Sequence, residues 1–290
     1  MTALESSNPD VTSDVTLKAE TESTVLIVGG GPVGLALAIE LGLRRVRCLL
    51  VEQMASDGFN KHPRANLINS RSMEFCRRWG VVEQIKRVGT PPDYPHTAMY
   101  LTGMNGHMVA RIDRPDHGGD GPPVFTPEAA QRCNQIWFDP VLRQRAASLP
   151  SVQLRFRCAL ERFEQDASGV TAGLRDLDSG ETFTHRSDWL AACCGGRSPV
   201  RRLLGIDRDE GQVLGAPLSI YFRTPELWRH HDKGKGVLHF IIDQSGVWAT
   251  LNSLNGGDLW RVTLHGGAKM YGEPDQVDHR GLLTRIVGRE

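Results

Sequence analysis

The chain has 290 residues, with 34 Lys plus Arg against 34 Asp plus Glu, so its formal net charge is zero, and 40% of its residues are hydrophobic. That length supports one large or two ordinary domains with a substantial core. The charge balance gives no basis for binding nucleic acid or an acidic membrane surface, and no apolar run approaches the roughly 20 residues that span a bilayer.

Residues 1–22 are polar, mildly acidic and without aromatics, which predicts a disordered tail. They lack the basic start and apolar centre of a signal peptide and the Arg-rich character of a transit peptide, so a cytoplasmic location is expected. The apolar run Val25-Leu26-Ile27-Val28 predicts a strand, and Gly29, Gly31 and Gly34 follow at the spacing G-x-G-x-x-G. Leu35, Leu37, Ala38, Ile39 and Leu41 recur at helical spacing, and a second strand, Cys48-Leu49-Leu50-Val51, ends on Glu52.

Each part of that pattern has a physical use. Gly29 permits a tight turn, Gly31 lets the backbone approach a pyrophosphate, and Gly34 lets the helix pack on the strand. The N–H groups at the helix start then face phosphate oxygens, and a carboxylate at Glu52 can accept from a ribose hydroxyl. Dinucleotide binding is therefore expected rather than a purely structural glycine turn. Arg45 falls in the tight helix-to-strand connection, where a glycine would be easier.

A polar loop leads to His62-Pro63-Arg64-Ala65-Asn66. A helix is expected from Asn69 or Ser70, either of which can cap it; Met73, Cys76 and Trp79 give it an apolar face, and Gly80 ends it. A second helix over Val82–Val88 ends at Gly89. Residues 96–125 alternate weakly and read as short strands and loops. Thr126-Pro127-Glu128 predicts the start of a helix that Asp139-Pro140 restarts or kinks and that runs to Pro150. Val152–Phe156 and Ala159–Phe163 read as strands, and Val170–Leu177 with Thr182–His185 as a hairpin around Asp178-Ser179-Gly180. Trp189–Cys193 reads as a buried parallel strand. Beyond it Pro217–Arg223, Gly236–Ile242, Val247–Asn252 and Trp260–Leu264 predict an antiparallel sheet.

Several residues have a bland reading that is preferred. Six cysteines form no C-x-x-C pair, and Cys48, Cys76 and Cys158 read as buried free thiols, which implies a reducing compartment. Vicinal Cys193 and Cys194 would point to opposite faces of a strand. His230-His231 has no carboxylate or cysteine at ligand spacing and reads as loop, so no metal is expected. Arg201 reads as a capping or ion-pairing residue, and Trp228, Trp248 and Trp260 as core at least as readily as pocket.

Three motifs together resemble the single-component FAD-dependent aromatic hydroxylases, the para-hydroxybenzoate hydroxylase-like flavoprotein monooxygenases. They are the N-terminal fingerprint ending in Glu52, then Pro63-Arg64-Ala65-Asn66 with Asn69-Ser70-Arg71-Ser72-Met73-Glu74, and lastly Cys194-Gly195-Gly196-Arg197-Ser198-Pro199-Val200-Arg201, similar to the family's Asp-Gly motif. Asn134-Gln135-Ile136-Trp137-Phe138-Asp139-Pro140 supports them, and the likeness runs from about Thr24 to about Leu264.

The resemblance implies an α/β protein: a Rossmann-like (GR2-type) FAD-binding domain with a parallel sheet, over residues 23–90 and 127–205, plus an antiparallel β-sheet substrate domain, over 91–126 and 206–290. Gly29, Gly31 and Gly34, with Pro32 and Val33 between them, would contact the FAD pyrophosphate, and Glu52, with Gln53 beside it, the adenosine ribose. Arg64 would lie near the ribityl–pyrophosphate region, and Gln135 would hydrogen-bond the cofactor. Cys194 and Gly195 would pass close to it, and Arg197 would anchor that loop. The implied reaction hydroxylates a phenolic or related aromatic compound with NAD(P)H and O2; no catalytic residue is assigned. The family's NAD(P)H site has no Rossmann domain of its own, which agrees with a single glycine fingerprint.

Two departures set the alternatives. Cys194 stands where the family has an aspartate, and no Gly-Asp segment like the family's later one follows Leu264. The alternative is therefore a catalytically inactive FAD-binding remnant, or one half of a split enzyme completed by another chain; homo-oligomerisation is left open. An NAD-dependent dehydrogenase shares the fingerprint but would need a proton-relay motif and a second βαβ half.

Overall fold

The computed structural model describes residues 18–56, 64–113, 125–208, 217–225, 227–272 and 275–288. The expected tail over 1–17, Pro63, and Gly118, Gly119 and Gly121 lie outside the described residues.

In chain order the elements are strand β1 (Lys18–Val28), helix α1 (Pro32–Leu43), β2 (Cys48–Glu52), β3 (Leu67–Ile68), α2 (Ser70–Arg78), α3 (Val82–Val88), β4 (Thr97–Leu101) and β5 (Met108–Asp113). They continue through β6 (Gln131–Arg132), α4 (Gln135–Ala147), β7 (Val152–Phe156), β8 (Cys158–Asp166), β9 (Gly169–Asp176), β10 (Thr182–Ala192) and α5 (Pro199–Leu203). A 3-10 turn (Leu227–His230) then separates β11 (Leu218–Arg223) from β12 (Leu238–Asp243), and β13 (Gly246–Ser253), β14 (Leu259–Leu264), α6 (Ala268–Tyr271) and α7 (His279–Val287) follow. No helix of the described residues is long and apolar enough to cross a membrane.

The chain divides into two compact units, one of residues 1–56 and 149–207 and the other of residues 57–148 and 208–290. The units differ from the boundaries read in the sequence: α2, α3 and α4 pack on one another and fall with the second unit.

The first unit is built on a six-stranded sheet in the order β7-β2-β1-β10-β9-β8. Its β7, β2, β1 and β10 are parallel, and β10, β9 and β8 are antiparallel. Every residue of β2 is buried, as a strand covered on both faces requires. α1 packs over β1, β2 and β7, and its Leu35, Ala38 and Ile39 have no exposed surface. Leu26, Val28, Leu49 and Val51 face the other way, into a cluster with Leu160, Leu174, Phe183 and Val200. Each such side chain contributes about 1.5–3 kcal/mol through burial. The helix-to-strand connection does place Arg45 in the left-handed region, at φ 60°.

Two expectations for this unit are corrected. Residues 18–22 are not tail: β1 begins at Lys18 because its backbone pairs with β10, from Lys18 with Phe183 to Glu22 with Arg186, and ladder bonds hold a strand that side-chain polarity alone would not mark. The hairpin strand and the apolar run after it are a single eleven-residue strand, β10, and Trp189 on it is 70% exposed rather than buried.

The second unit holds a six-stranded sheet in the order β11-β14-β13-β12-β4-β5. All its pairs are antiparallel except β12 with β4. Met99, Leu101, Ile241, Leu251, Trp260, Val262 and Leu264 lie in one core cluster, closed by Leu282, Leu283 and Ile286 of α7. Trp248 and Trp260 belong to that core. The Arg285 guanidinium lies 4.1 Å over the Trp248 ring and pairs with Asp243 at 3.1 Å. A two-stranded ribbon of β3 and β6 leads into α2 and α4.

α2 and α3 follow the sequence reading: the Asn69 side chain caps α2 by accepting from the Ser72 N–H at 2.8 Å, and Gly80, at φ 75°, ends it. The helix expected from Thr126 is corrected. Glu128 is buried and draws Arg77 and Lys86, each at 3.2 Å, and Thr126 Oγ1 donates to Glu74 Oε1 at 2.7 Å. These tertiary contacts hold 126–128 as a turn, and α4 starts at Gln135 and runs through Pro140. His230 ends the 3-10 turn rather than lying in open loop.

All six cysteines are free. Burial pushes the thiols of Cys48 and Cys158 up to about 11 and those of Cys76 and Cys133 up to about 12, so they serve as packing groups.

Candidate functional site

In the first unit the turn after β1 is shaped by contacts that leave one side of it open. Gly29 has φ 114°, and a Cβ there would lie 2.5 Å from the Cys193 carbonyl oxygen. A Cβ on Gly34 would overlap the Gly29 carbonyl oxygen. Both glycines are thus required by the protein itself. Gly31 is different: its φ is −75°, which any residue adopts, and a Cβ there would meet no atom of the described residues within 4 Å. It is the N-cap of the 12-residue α1, and no side-chain hydrogen bond caps that helix. Pro32 takes the first helical position, where its missing N–H costs nothing, and Val33 is 69% exposed. An uncapped helix start beside open space fits an anionic diphosphate, because the dipole and the free N–H groups both favour negative charge there.

Glu52 is buried and each of its carboxylate oxygens has a defined partner. Oε2 accepts from the Gly30 N–H at 2.7 Å, and Oε1 accepts from the Met54 N–H at 2.8 Å. A carboxylate offers about four acceptor sites. Capacity remains for ribose hydroxyls, so the residue fits that group as well as holding the glycine turn. Gln53 is exposed beside it.

The turn after β10 lies against the same loop, since the Cys193 N–H donates to the Val28 carbonyl at 2.8 Å. Gly195 has φ 69°, and Cβ atoms at Gly195 and Gly196 would meet nothing among the described residues within 4 Å. The Cys194 thiol lies 2.9 Å from Ser198 Oγ. Ser198 holds this turn: its N–H donates to the Gly195 carbonyl at 3.1 Å, and its hydroxyl accepts from the Arg201 N–H at 3.0 Å, capping α5. Arg197, expected to anchor the loop, is exposed and takes no part in those bonds. Arg201 donates to the Ile206 carbonyl at 2.6 Å.

In the second unit two motifs that are far apart in sequence meet. The Gln135 N–H donates to the Ala65 carbonyl at 3.0 Å, and Asn134 Nδ2 lies 3.4 Å from Asn66 Oδ1. Arg261 donates to the Arg64 carbonyl at 3.1 Å, while the Arg64 side chain is exposed. Asn134 caps α4 by accepting from the Ile136 N–H at 3.1 Å. The Gln135 amide donates to Asp139 Oδ2 at 2.9 Å. On the same sheet, the residues alternating with the core face present a stacked pair, Tyr100 on Phe240, with ring centroids 4.6 Å apart.

Sequence reasoning missed Gly30, Gly196 and Asp139. The Gly30 Cα faces Glu52, and a Cβ there would lie 2.9 Å from the Glu52 Cβ. Asp139 stands in the Asn134–Pro140 motif and its Asp-Pro step without a role of its own, although its spacing of four from Gln135 is a usable helical-pair signal.

A family model described as "FAD binding domain" matches residues 22–286. A putative polyketide hydroxylase of Streptomyces halstedii is 37% identical over 218 residues, 75% of this chain and 38% of that protein. The para-nitrophenol 4-monooxygenase of Pseudomonas sp. (strain WBC-3) is 30% identical over 271 residues, 93% of this chain and 61% of that protein. Among solved structures, the substrate-free rebeccamycin biosynthetic enzyme RebC superposes with a TM-score of 0.83 at 37% identity, covering 94% of this chain and 52% of that one. The chain therefore spans between about a third and two thirds of the length of these relatives. It belongs to the FAD binding domain family, that of the FAD-dependent aromatic hydroxylases.

Proposed function

We propose that this chain binds FAD and serves an NAD(P)H- and O2-dependent monooxygenase that hydroxylates a phenolic or related aromatic compound. The observation that carries the cofactor reading is Gly31: no described residue crowds its Cβ position, and a diphosphate against the uncapped start of α1 would fill that space. Glu52 would hold both the turn and the ribose, and Gly195 and Gly196 would leave the chain open to close approach. Arg64, Gln135 and Cys194 keep the cofactor contacts that the family resemblance implies. When bound, FAD would supply the redox chemistry, passing electrons from NAD(P)H to O2 and one oxygen atom to the ring. The protein's share is binding, orientation and exclusion of water, which explains why no acid–base pair stands out in the sequence. The stacked Tyr100–Phe240 face supports an aromatic substrate, since such a surface prefers flat rings.

A second reading is an FAD-binding chain without hydroxylase activity, and Cys194 favours it, because a thiol replaces the charged acceptor of the family's Asp-Gly motif. Two measurements separate the readings. The purified chain should show a flavin visible spectrum, and its NAD(P)H oxidation should rise with a panel of phenols and polyketide-like aromatics. A protein that stays colourless with added FAD contradicts both readings. Bound flavin without stimulated oxidation supports the second.

A further inference from the structure

Within the first unit, β10 lies between β1 and β9 over residues 182–187, and beyond Ser187 only β1 remains beside it among the described residues. β9 reaches no further because it begins at Gly169, where the chain turns back from Asp166 of β8. Trp189, Leu190, Ala191 and Ala192 are still in register with Val25, Leu26, Ile27 and Val28 of β1. The Cys193 N–H donates to the Val28 carbonyl, so the two-residue period of a strand turns the backbone groups of Leu190 and Ala192 to the open edge. Trp189-Leu190-Ala191-Ala192 is an apolar run of the kind that parallel strands carry when both faces are covered. β2 shows the contrast: it is paired with β1 on one edge and β7 on the other, and every one of its residues is buried. Of residues 188–192 none is buried, and Trp189 is 70% exposed. An open apolar edge of this kind is a template for another strand.

We propose that the edge of β10 at Leu190 and Ala192 takes up an apolar strand, parallel to β10, from polypeptide outside these 290 residues: the portion that makes up the remaining length of the relatives. Length argues for this occupant. The chain covers 52% of RebC and 38% of the Streptomyces halstedii protein, so about half or more of each lies outside the matched part. A second copy of this chain fits less well. Two copies of β10 paired edge to edge about a two-fold axis would be antiparallel, whereas its apolar run is of the parallel kind. The added strand would give the Leu190 and Ala192 backbone groups main-chain partners and set its own side chains beside Trp189, as strand addition to a sheet edge does.

The test is co-expression of the full chain with the part of RebC outside the matched region, followed by amide hydrogen exchange of the chain alone and of the complex. The two polypeptides are expected to co-purify. The Leu190 and Ala192 amides are expected to exchange at least about tenfold more slowly in the complex, a larger change than at Leu26 and Ile27, which are already paired on both edges. Trp189→Lys, which places a charge on the edge, and Leu190→Pro, which removes one of its N–H donors, are each expected to abolish co-purification. Should Leu190→Pro not fold, Trp189→Lys decides the matter. Failure to co-purify, co-purification that survives Trp189→Lys, or a complex in which Leu190 and Ala192 exchange as in the free chain each overturns the proposal. Slow exchange of those amides in the chain alone overturns it too: if the protection rises with protein concentration the occupant is a second copy, and if it does not the chain closes its own edge. None of these outcomes bears on FAD binding.

Discussion

Glu52 Oε2 accepts the Gly30 N–H at 2.7 Å, so the acid that closes β2 holds the turn that closes β1. The same side chain reaches forward to the Met54 N–H at 2.8 Å. One buried carboxylate therefore ties two strand ends together and shapes the edge of the proposed diphosphate cradle, so the FAD reading couples local stability to cofactor affinity.

Glu52→Ala is accordingly expected to lose both. It strands two N–H groups, at a cost of about 2–4 kcal/mol, and lowers FAD affinity in parallel. Thermal unfolding with and without FAD checks this. An unchanged melting temperature in the apo-protein would remove the structural half of the argument.

Gly34 separates packing from binding. Gly34→Ala drives a methyl group into the Gly29 carbonyl oxygen, and the expected loss is more than about 2 kcal/mol, seen as a melting temperature lower by several degrees. A fully stable variant would mean that α1 can shift along β1.

Arg45 offers a gain. A non-glycine residue at φ 60° costs about 1–2 kcal/mol, so Arg45→Gly is expected to stabilise the chain by up to about 1 kcal/mol after the added backbone freedom of glycine in the unfolded state. Differential scanning calorimetry should show a rise of roughly 2–4 °C.

Acid should weaken the fold. His185, against Ser23 at 2.9 Å, and His239 are buried, and burial lowers each ring from 6.5 to about 4. The unfolded chain then binds protons that the native chain refuses, so their contribution is full above 6.5 and is lost as pH falls toward about 4. Asp139 runs the other way: raised from 3.8 to about 6, it destabilises at neutral pH and recovers in acid, offsetting part of the histidine loss. A net fall of a few kcal/mol is expected between about pH 7 and about pH 4.5, measured by urea denaturation, and His185→Gln should flatten it.

The strand-turn-helix-strand unit was legible because one short stretch carries its whole logic: Gly29, Gly34 and Glu52 all act within some twenty residues of each other. The second sheet was legible as alternating strands, though its parallel β12–β4 pair was not, since β4 lies more than a hundred residues upstream. The missed features share a cause. Thr126 and Glu128 look like a helix start until Glu74, Arg77 and Lys86 claim them, and Lys18–Glu22 looks like tail until β10 pairs with it. Long-range partners decided both, and no local pattern records them. Asp139 shows the same limit at the candidate site, because its burial is set by the surrounding fold and not by the Asp-Pro step in which it stands.

Gly31 provides the most direct test of the proposed FAD site, because no described residue approaches its Cβ position and its backbone is ordinary. FAD affinity of purified Gly31→Val should fall at least about tenfold, equivalent to about 1.4 kcal/mol, while the apo-protein loses no more than about 1 kcal/mol of stability. A folded Gly31→Val that binds FAD as tightly as wild type would contradict the placement of the diphosphate at the start of α1.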